Sequence, residues 1–482
     1  MVSSDSNKNS LNSANAHSDR DVVHDGDGAG RRRMCVLGGG GYLGQLLALS
    51  LQREGHFVVL FDLQFPSFGH ICVDSRRCLK ITGSITDAAE LRKALAGCDA
   101  CFHLAGYGMS GGPSLDREKC FLVNVEGTRR VLEECRRAGI GRVVFTSTVL
   151  VIFDGSELDM ADEEGTPYIR TFGTNAYAES KCVAEKMVLM ANNQCMATCA
   201  LRLRGIYGPG ELRTVKRTAD LCMRGVVKCS FGKTPRVLTQ YSGADNTVQA
   251  LMLSEKSLRE GSNSRAAGKA YHIMDGGPPV DSFRFWYPLI AGIGCPLPSI
   301  RIPYNFAYAL GVMFELVYKM VGWEPLFTRH EVALMGVPNT YSIERARHDL
   351  AYSPTPASDQ LARTVEFLKL QLDADREKAA SSSGAYSAKS GGGGSGGQWL
   401  RDRKWLFLAY FVDEAEKGKN IYLHKSERIE KAFIKCHGIC LIWSNSALFP
   451  SKWSLVLTAL LGIFIGMAFL LSALPANRPD AF

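Results

Sequence analysis

Residues 34–44 read MCVLGGGGYLG, a short apolar run followed by a glycine-rich turn. The apolar run predicts a buried strand, and residues 45–54 after the turn predict a helix. Gly38, Gly41 and Gly44 allow a tight turn and let the backbone approach a pyrophosphate, which the free N–H groups at the start of the helix can bind. A glycine motif in this strand–turn–helix order predicts a dinucleotide-binding loop.

The second predicted strand, residues 57–61, ends just before Asp62, which lies 18 residues after Gly44. A carboxylate at this place accepts hydrogen bonds from a ribose 2′-hydroxyl and repels a 2′-phosphate. Leu63 and Gln64 follow, so no arginine adjoins Asp62 in the sequence. The pattern therefore favours NAD over NADP as the cofactor.

Further short apolar runs, at residues 100–104, 143–146 and 200–203, alternate with helical segments. Strands that alternate with helices predict an α/β fold with a Rossmann-type doubly wound parallel sheet. The pattern is less regular from about residue 205 onward, which predicts a smaller C-terminal substrate domain set on the sheet.

Tyr177 and Lys181 lie four residues apart, so they share one face of a helix. A phenol has a reference pKa of about 10 and is a poor base near neutral pH. A lysine one turn away favours the phenolate, which lets Tyr177 take or give a proton at working pH. Together with the dinucleotide loop, the pair predicts a nicotinamide-dependent oxidoreductase whose proton donor is a tyrosine.

Residues 145–148 read FTST and end another predicted strand, at the sheet edge where ligands bind in such folds. A hydroxyl there can donate to the substrate oxygen and hold it against Tyr177. Three hydroxyls compete for this role, and the register favours Thr148, then Ser147. The alternative interpretation is that these hydroxyls are ordinary polar groups at the end of a strand, without a role in catalysis.

Two other strand ends carry candidate cofactor contacts. Asp87 follows the third strand, where a carboxylate could bind adenine, although a helix N-cap is the favoured interpretation. Leu104 and Ala105 close the fourth strand near the expected nicotinamide. His103, just before them, is predicted to be a core residue rather than a catalyst.

Five segments in this order resemble the extended short-chain dehydrogenase/reductases and, within them, the 3β-hydroxysteroid dehydrogenase/isomerase family. They are residues 36–44, 124–128, 145–148, 177–181 and 201–210. The resemblance covers about residues 34–370. The narrower family is favoured by the spacing from Thr148 to Tyr177, by an apolar segment at residues 285–323 and by an apolar C-terminal segment.

The resemblance implies roles for individual residues. Tyr177 would be the acid/base, Lys181 its support, and Thr148 the hydroxyl that fixes the substrate oxygen. Asn124 would help to hold the active-site backbone and water. The expected cofactor-binding residues are Gly38, Gly41, Tyr42, Leu43, Gly44, Asp62, Asp87, Leu104, Ala105, Tyr177 and Lys181. The sequence departs from the family pattern at three positions, Leu37, Ser84 and Leu203, where threonine, aspartate and proline are usual.

Composition predicts the outer segments of the chain. Residues 453–477 carry no charge and are long enough to span a bilayer, which takes about 20 helical residues. Positive charge beside a span marks the cytosolic side, so we expect a single-pass C-terminal anchor in the endoplasmic reticulum with a cytosolic catalytic domain. The predicted boundaries are a disordered leader at 1–33, the NAD-binding Rossmann domain with Tyr177 and Lys181 at 34–204, the substrate domain and return elements at 205–378, a Gly/Ser linker at 379–397, a basic-leaning juxtamembrane segment at 398–452 and the transmembrane helix at 453–477.

The apolar and aromatic segment at residues 285–323 has two interpretations. It is either a buried core helix, or a hydrophobic substrate mouth or membrane-resting surface.

Composition also argues against several classes of function. The net charge of +8 is spread out, without a basic run interleaved with aromatics, so we do not expect nucleic-acid binding. The 15 cysteines are scattered and odd in number, which predicts reduced, buried thiols. Cys98 and Cys101 form a C-x-x-C that has no second ligand pair at zinc spacing, so we expect no metal site.

The leading hypothesis is an NAD-dependent oxidoreductase that acts on a secondary alcohol of a steroid-like, apolar small molecule. The alternative enzyme is a nucleotide-sugar epimerase or dehydratase, because fold does not settle substrate. A third hypothesis is a membrane-tethered NAD-binding scaffold without turnover. A homodimer is compatible with each of them. Five basic residues could bind the diphosphate of a nucleotide sugar: Arg202, Arg204, Arg213, Lys216 and Arg217.

Overall fold

A computed structural model describes residues 30–386 apart from residues 224 and 226, with side chains as far as residue 374. Most of the predicted leader at 1–33, the juxtamembrane segment at 398–452 and the predicted transmembrane helix at 453–477 lie outside the described residues.

Fifteen strands are described. They are β1 (Arg33–Leu37), β2 (Phe57–Asp62), β3 (Cys78–Thr82), β4 (Ala100–His103), β5 (Arg142–Thr148), β6 (Leu158–Ala161), β7 (Ala197–Leu203), β8 (Ile206–Tyr207), β9 (Cys229–Gly232), β10 (Leu238–Thr239), β11 (Ser242–Gly243), β12 (Lys269–Ile273), β13 (Val280–Asp281), β14 (Ile300–Pro303) and β15 (Asn339–Tyr341).

Twelve α-helices are described between and after these strands. They are α1 (Tyr42–Arg53), α2 (Ala88–Leu95), α3 (Arg117–Cys120), α4 (Thr128–Arg137), α5 (Ala176–Met190), α6 (Val215–Met223), α7 (Ala244–Leu258), α8 (Tyr287–Gly292), α9 (Tyr304–Val321), α10 (Arg329–Gly336), α11 (Glu344–Leu350) and α12 (Ala357–Tyr386). A π-helical stretch, Phe121–Gly127, joins α3 to α4. Single 3-10 turns lie at Ser75–Arg77, Gly112–Leu115, Val149–Val151, Gly261–Asn263 and Arg284–Trp286.

The central sheet has seven strands in the order β12-β7-β5-β4-β1-β2-β3, and every pair in it is parallel. The chain builds outward from β1 to β3, then returns to the other side of β1 with β4. This reversal leaves a crevice at the carboxyl ends of β1 and β4, which is where ligands bind in doubly wound sheets. The predicted Rossmann-type sheet is confirmed. The second strand after the reversal, β5, extends through Thr148, two residues beyond the predicted strand.

Side-chain alternation along the strands divides the core into two layers. Met34 and Val36 of β1 belong to a buried cluster that includes Leu47 of α1 and Leu251 of α7. Cys35, one residue along, belongs to a second cluster on the opposite face, with residues of α2, α4 and α5. Both faces of the sheet are therefore buried, as its near-continuous apolar strands require.

A third core cluster lies outside the sheet and decides between the two interpretations of the apolar segment. Phe285 and Trp286 are buried in it, against Tyr207 and Tyr241. In α9 the large apolar side chains do not form the core, because the buried residues of this helix are Ala307, Gly311 and Glu315. The segment is thus core at its start and surface in α9. The exposed large apolar residues there, called the apolar stripe below, are Phe306, Tyr308, Leu316, Met320, Val321 and Trp323.

The described residues also bear on three smaller expectations. The thirteen cysteines among the described residues are free. The described part of the chain contains no group of side chains that could hold a metal ion. No helix in the described range is both long and apolar enough to cross a membrane. The helix α12 runs to Tyr386, eight residues into the predicted linker at 379–397, and the rest of that linker lies beyond the described residues.

Candidate active site

The glycine-rich turn between β1 and α1 has the geometry of a dinucleotide loop. Gly38 has a φ of +85°, a conformation that side chains rarely adopt. A Cβ atom on Gly44 would lie 2.3 Å from the carbonyl oxygen of Gly38, so the turn closes only with glycine there. Gly41 caps α1 with extended backbone and no side-chain acceptor, which leaves the first N–H groups of the helix directed at the crevice. The residues fit a pyrophosphate in this position.

Asp62 ends β2 beside this turn. Its Oδ2 atom accepts a hydrogen bond from the Gly40 N–H at 3.0 Å, and its Oδ1 atom accepts one from the Leu63 N–H at 2.7 Å. The two bonds orient the carboxylate against the glycine turn, and each oxygen keeps a further lone pair. Asp62 can therefore accept hydrogen bonds from a ribose, as expected for NAD.

Leu104 and Ala105, after β4, form the other wall of the crevice. Both N–H groups donate to the carbonyl oxygen of Leu37, at 2.8 Å and 2.9 Å. A Cβ atom on Gly38 would lie 2.7 Å from the Ala105 nitrogen, so the two loops pack backbone against backbone. Tyr42, the first residue of α1, is directed away from this contact and packs edge-on against Phe68.

Tyr177 and Lys181 both lie in the first half of α5, and both are buried. Asn175 caps the helix by accepting the Ala178 N–H at 2.9 Å, which fixes where the helix begins and where Tyr177 lies. Burial raises the pKa of Tyr177, and the positive charge of Arg213 opposes that rise. The phenol is therefore protonated when no ligand is bound, which suits a proton donor.

The Lys181 ammonium group is held against β5. Its Nζ atom donates to the Thr146 carbonyl oxygen at 2.6 Å and lies 4.0 Å from the centre of the Phe145 ring. Burial lowers the pKa of Lys181 and the Glu185 carboxylate partly offsets this, which leaves the pKa at about 7. The lysine therefore titrates close to neutral pH.

Asn124 joins the cofactor crevice to the catalytic helix. It lies in the π-helical stretch Phe121–Gly127, a geometry that recurs at functional sites. Its side-chain amide pairs with both backbone groups of Tyr107, at 2.8 Å and 2.9 Å, and also donates to the Ser180 hydroxyl at 2.9 Å. Ser180 in turn donates to the Tyr177 carbonyl oxygen. Asn124 thus holds the backbone after β4 against α5, in agreement with the role that the resemblance implies.

Thr148 and Ser147 lie on opposite faces at the end of β5, because neighbouring strand residues alternate. Leu203, the register partner of Thr148, belongs to the buried cluster that contains Tyr177. Ser147 is opposite Arg202, on the other face, and its hydroxyl has no partner among the described residues. The strand register therefore favours Thr148 over Ser147 as the hydroxyl beside Tyr177.

Asp87 and His103 both have structural partners. Asp87 is the N-cap of α2, where its carboxylate accepts the Ala89 and Glu90 N–H groups at 2.8 Å and 3.3 Å. The favoured interpretation as a cap is thus observed, and a contact with adenine stays a prediction. The fully buried His103 bonds through Nε2 to the Thr128 hydroxyl at 2.9 Å. Burial lowers the pKa of His103 to about 3, so the ring is neutral.

Sequence reasoning missed two neighbours of the catalytic pair. Glu185 lies one turn after Lys181, and no motif singled it out because a glutamate inside a helix is common. Arg213 was assigned only to a diphosphate, and its charge acts on Tyr177. Arg202 and Arg204 are instead buried in internal contacts: Arg202 pairs with Glu185 and Arg204 bonds to Asn339. They are not free to bind a diphosphate, which corrects that expectation.

Comparison with known proteins identifies the family. A model described as the 3-beta hydroxysteroid dehydrogenase/isomerase family matches residues 35–304. The chain belongs to this family. It is 38% identical to the short-chain dehydrogenase/reductase family 42E member 1 of Danio rerio over 331 residues, which is 66% of this chain and 84% of the relative. It is 34% identical to the 3beta-hydroxysteroid dehydrogenase/Delta(5)-Delta(4) isomerase 1 of Caenorhabditis elegans over 274 residues, 56% of this chain and 58% of the relative.

Solved structures agree at the level of the fold. A short-chain dehydrogenase/reductase superfamily protein of Agrobacterium tumefaciens with bound NAD superimposes with a TM-score of 0.52 at 19% identity, over 72% of this chain and 99% of that one. The protein is thus a member of the 3β-hydroxysteroid dehydrogenase/isomerase family with a Rossmann-like sheet. As a short-chain dehydrogenase/reductase, it is an oxidoreductase that acts on CH–OH groups.

Proposed function

We propose that the protein is an NAD-dependent dehydrogenase for a secondary alcohol of a steroid- or sterol-like substrate, and that it also reduces the corresponding ketone. One observation carries the proposal: Asn124 ties the backbone beside the glycine turn to the helix that bears Tyr177 and Lys181. The cofactor crevice and the proton donor therefore form one rigid unit, which is what hydride and proton transfer at a single carbon require.

The proposal assigns a role in the reaction to each residue of the site. NAD supplies the hydride acceptor when it is bound. Thr148 holds the alcohol oxygen, and Tyr177 takes its proton in oxidation or returns it in reduction. The ammonium group of Lys181 stabilises the phenolate that oxidation requires, and Asp62 selects the ribose without a 2′-phosphate.

The surface beside the site supports an apolar substrate. The Glu324 carboxylate accepts the Gly112 N–H at 2.8 Å, and a Cβ atom on Gly112 would lie 2.5 Å from the Tyr318 ring of α9. The helix α9, which carries the apolar stripe on its exposed side, therefore packs against the loop that continues from Tyr107. An exposed apolar helix packed on this loop suits a substrate that partitions into bilayers, and the predicted C-terminal membrane anchor suits it equally.

The test is NADH production by the detergent-solubilised full chain across a panel of 3β-hydroxysteroids and sterols. Tyr177→Phe removes only the phenolic hydroxyl, and it should lower kcat about 10²- to 10⁴-fold, the range for losing a general acid/base. Tyr287→Phe, which removes a partly buried phenol of α8 beside the third core cluster, is the matched control. Turnover that survives Tyr177→Phe would contradict the mechanism. Intact NAD binding without turnover of any alcohol on the panel would contradict the substrate class.

A second candidate, a nucleotide-sugar epimerase or dehydratase, is favoured by one observation. Arg213 is exposed, and its charge acts on Tyr177, so an anionic group of a substrate could pair with it. A ligand screen in which UDP-sugars stabilise the protein, and lose that effect in Arg213→Gln, would support this candidate over the first.

A further inference from the structure

Glu185 is fully buried one helical turn after Lys181 on α5. We propose that Glu185 is a positioning residue of the active site, whose carboxylate keeps Lys181 in its charged form. The inference rests on the proposed function, in which charged Lys181 stabilises the Tyr177 phenolate.

The hydrogen bonds of Glu185 are strongly asymmetric. Its Oε1 atom accepts three of them, from Arg202 Nε at 3.0 Å, from Arg202 Nη2 at 2.8 Å and from the Tyr168 hydroxyl at 2.7 Å. Its Oε2 atom is buried and has no partner among the described residues. A purely structural ion pair with Arg202 would use both oxygens in the bidentate arrangement that arginine favours. The charge on this side of the carboxylate is therefore not compensated by a hydrogen-bond donor.

The Lys181 ammonium group meets a carbonyl oxygen and an aromatic ring on β5, and neither carries a full negative charge. Burial lowers the pKa of Lys181 and the Glu185 carboxylate opposes that fall, and the balance of the two leaves the pKa at about 7. Residues at i and i+4 on a helix are neighbours, so this anion lies along the same face.

The other titratable groups around the pair do not replace Glu185. From β4, His103 is neutral because burial and the charge of Lys181 both lower its pKa. From β7, Arg202 is a cation that pairs with Glu185 itself. Behind Arg202, His272 of β12 is also kept neutral by burial, which lowers its pKa to about 3. On α5, Tyr177 is a protonated phenol until it reacts.

Removing the Glu185 charge changes the pKa of Lys181 in one direction. Without the Glu185 charge, the pKa of Lys181 falls further below about 7, so that the lysine is mostly neutral at neutral pH. A neutral lysine no longer favours the phenolate. The pH at which Tyr177 becomes a base in alcohol oxidation therefore moves upward, and the acid limb of kcat/KM moves with it.

The experiment is an NMR titration of the detergent-solubilised full chain carrying ¹³Cε-labelled lysine, with the Lys181 signal assigned by its loss in Lys181→Met. Glu185→Gln should lower the titration midpoint of Lys181 by about one pH unit, the size expected for removing one nearby charge. Glu185→Asp keeps the charge and should restore most of the midpoint. Glu179→Gln, which removes a partly buried carboxylate of the same helix that pairs with Arg117 of α3, is the matched control and should leave the midpoint unchanged.

A second variant covers the case in which Glu185→Gln fails to fold because Arg202 is left unpaired in the interior. Glu185→Gln combined with Arg202→Gln removes both charges and should lower the Lys181 midpoint in the same direction. A folded single or double variant with an unchanged midpoint overturns the inference. The titration reports the charge of Lys181 whether or not any alcohol is oxidised, so a shifted midpoint in a protein without turnover would contradict the proposed function alone.

Discussion

The cofactor half and the substrate half of this molecule are built by different kinds of contact. Around Gly38 and Gly44 the backbone packs directly on backbone, and a single added Cβ atom would collide. Around α9 the contacts are single carboxylates that reach across the chain, such as Glu315, which accepts from Thr174 at 3.1 Å, and Glu324, which accepts from Gly112 at 2.8 Å. The glycine turn is thus fixed by close backbone packing, and the end of α9 is held to its neighbours by hydrogen bonds between residues far apart in sequence.

The largest expected effect concerns Thr148 at the end of β5, where the cofactor half meets the substrate half. Thr148→Val keeps the side-chain shape and removes the hydroxyl, and it should lower kcat about 10²- to 10³-fold, the usual loss when one hydrogen-bond donor to the reacting oxygen is removed. Ser147→Ala, one residue away on the opposite face, should change kcat less than about twofold, because a side chain that does not touch the oxygen contributes little. Steady-state NADH production measures both variants. Equal losses would show that the register does not decide which hydroxyl acts.

The next effect tests the steric account of the cofactor half. Gly44→Ala places a Cβ atom 2.3 Å from the Gly38 oxygen, so the turn must shift. Overpacking of this kind costs about 1–3 kcal/mol, or about 10- to 100-fold in NAD affinity if it falls on the bound state. Gly69→Ala is the control, because a Cβ atom there would meet nothing within 4 Å. Calorimetric titration with NAD measures the difference, and equal affinities would refute the account.

The smallest effect tests the substrate half. Leu316 and Met320, about half exposed on α9, lie one turn apart in the apolar stripe. Replacing both with serine should weaken binding of residues 30–386, which lack the predicted anchor, to vesicles about tenfold, because two partly buried apolar side chains contribute about 1–2 kcal/mol. Met190→Ser, which alters an exposed methionine at the end of α5, should have no such effect. Vesicle sedimentation measures the binding, and unchanged binding in the double variant would remove the stripe from the membrane interface.

The sequence predicted the cofactor half well, because the signals for that half come from short stretches of the chain. Strand periodicity, the glycine spacing and Asp62 are local signals, and each is found where local rules place it. The placement of Asn124 was reached only through the resemblance, because its bonds to Tyr107 and Ser180 cross 17 and 56 positions. No pattern in a single sequence encodes such a pairing.

The substrate half was harder to predict. The sequence indicated that Arg202 and Arg204 were cations available to a ligand. In the structure both are buried, and they bond to Glu185 and Asn339, which come from other elements. The apolar segment at 285–323 was ambiguous, because composition cannot tell a core helix from a surface one. The third cluster and the exposed face of α9 resolve it into one part of each kind.

The attachment of α9 and α10 has a consequence for the evolution and redesign of specificity. Glu324 and Glu331 hold the loop next to the site by its backbone N–H groups at Gly112 and Gly111. Main-chain groups are the same whatever side chains a loop carries. Other positions of that loop can therefore exchange side chains without detaching the helix beside it. A library that varies the loop and spares Gly111 and Gly112 would sample new substrates on an intact scaffold.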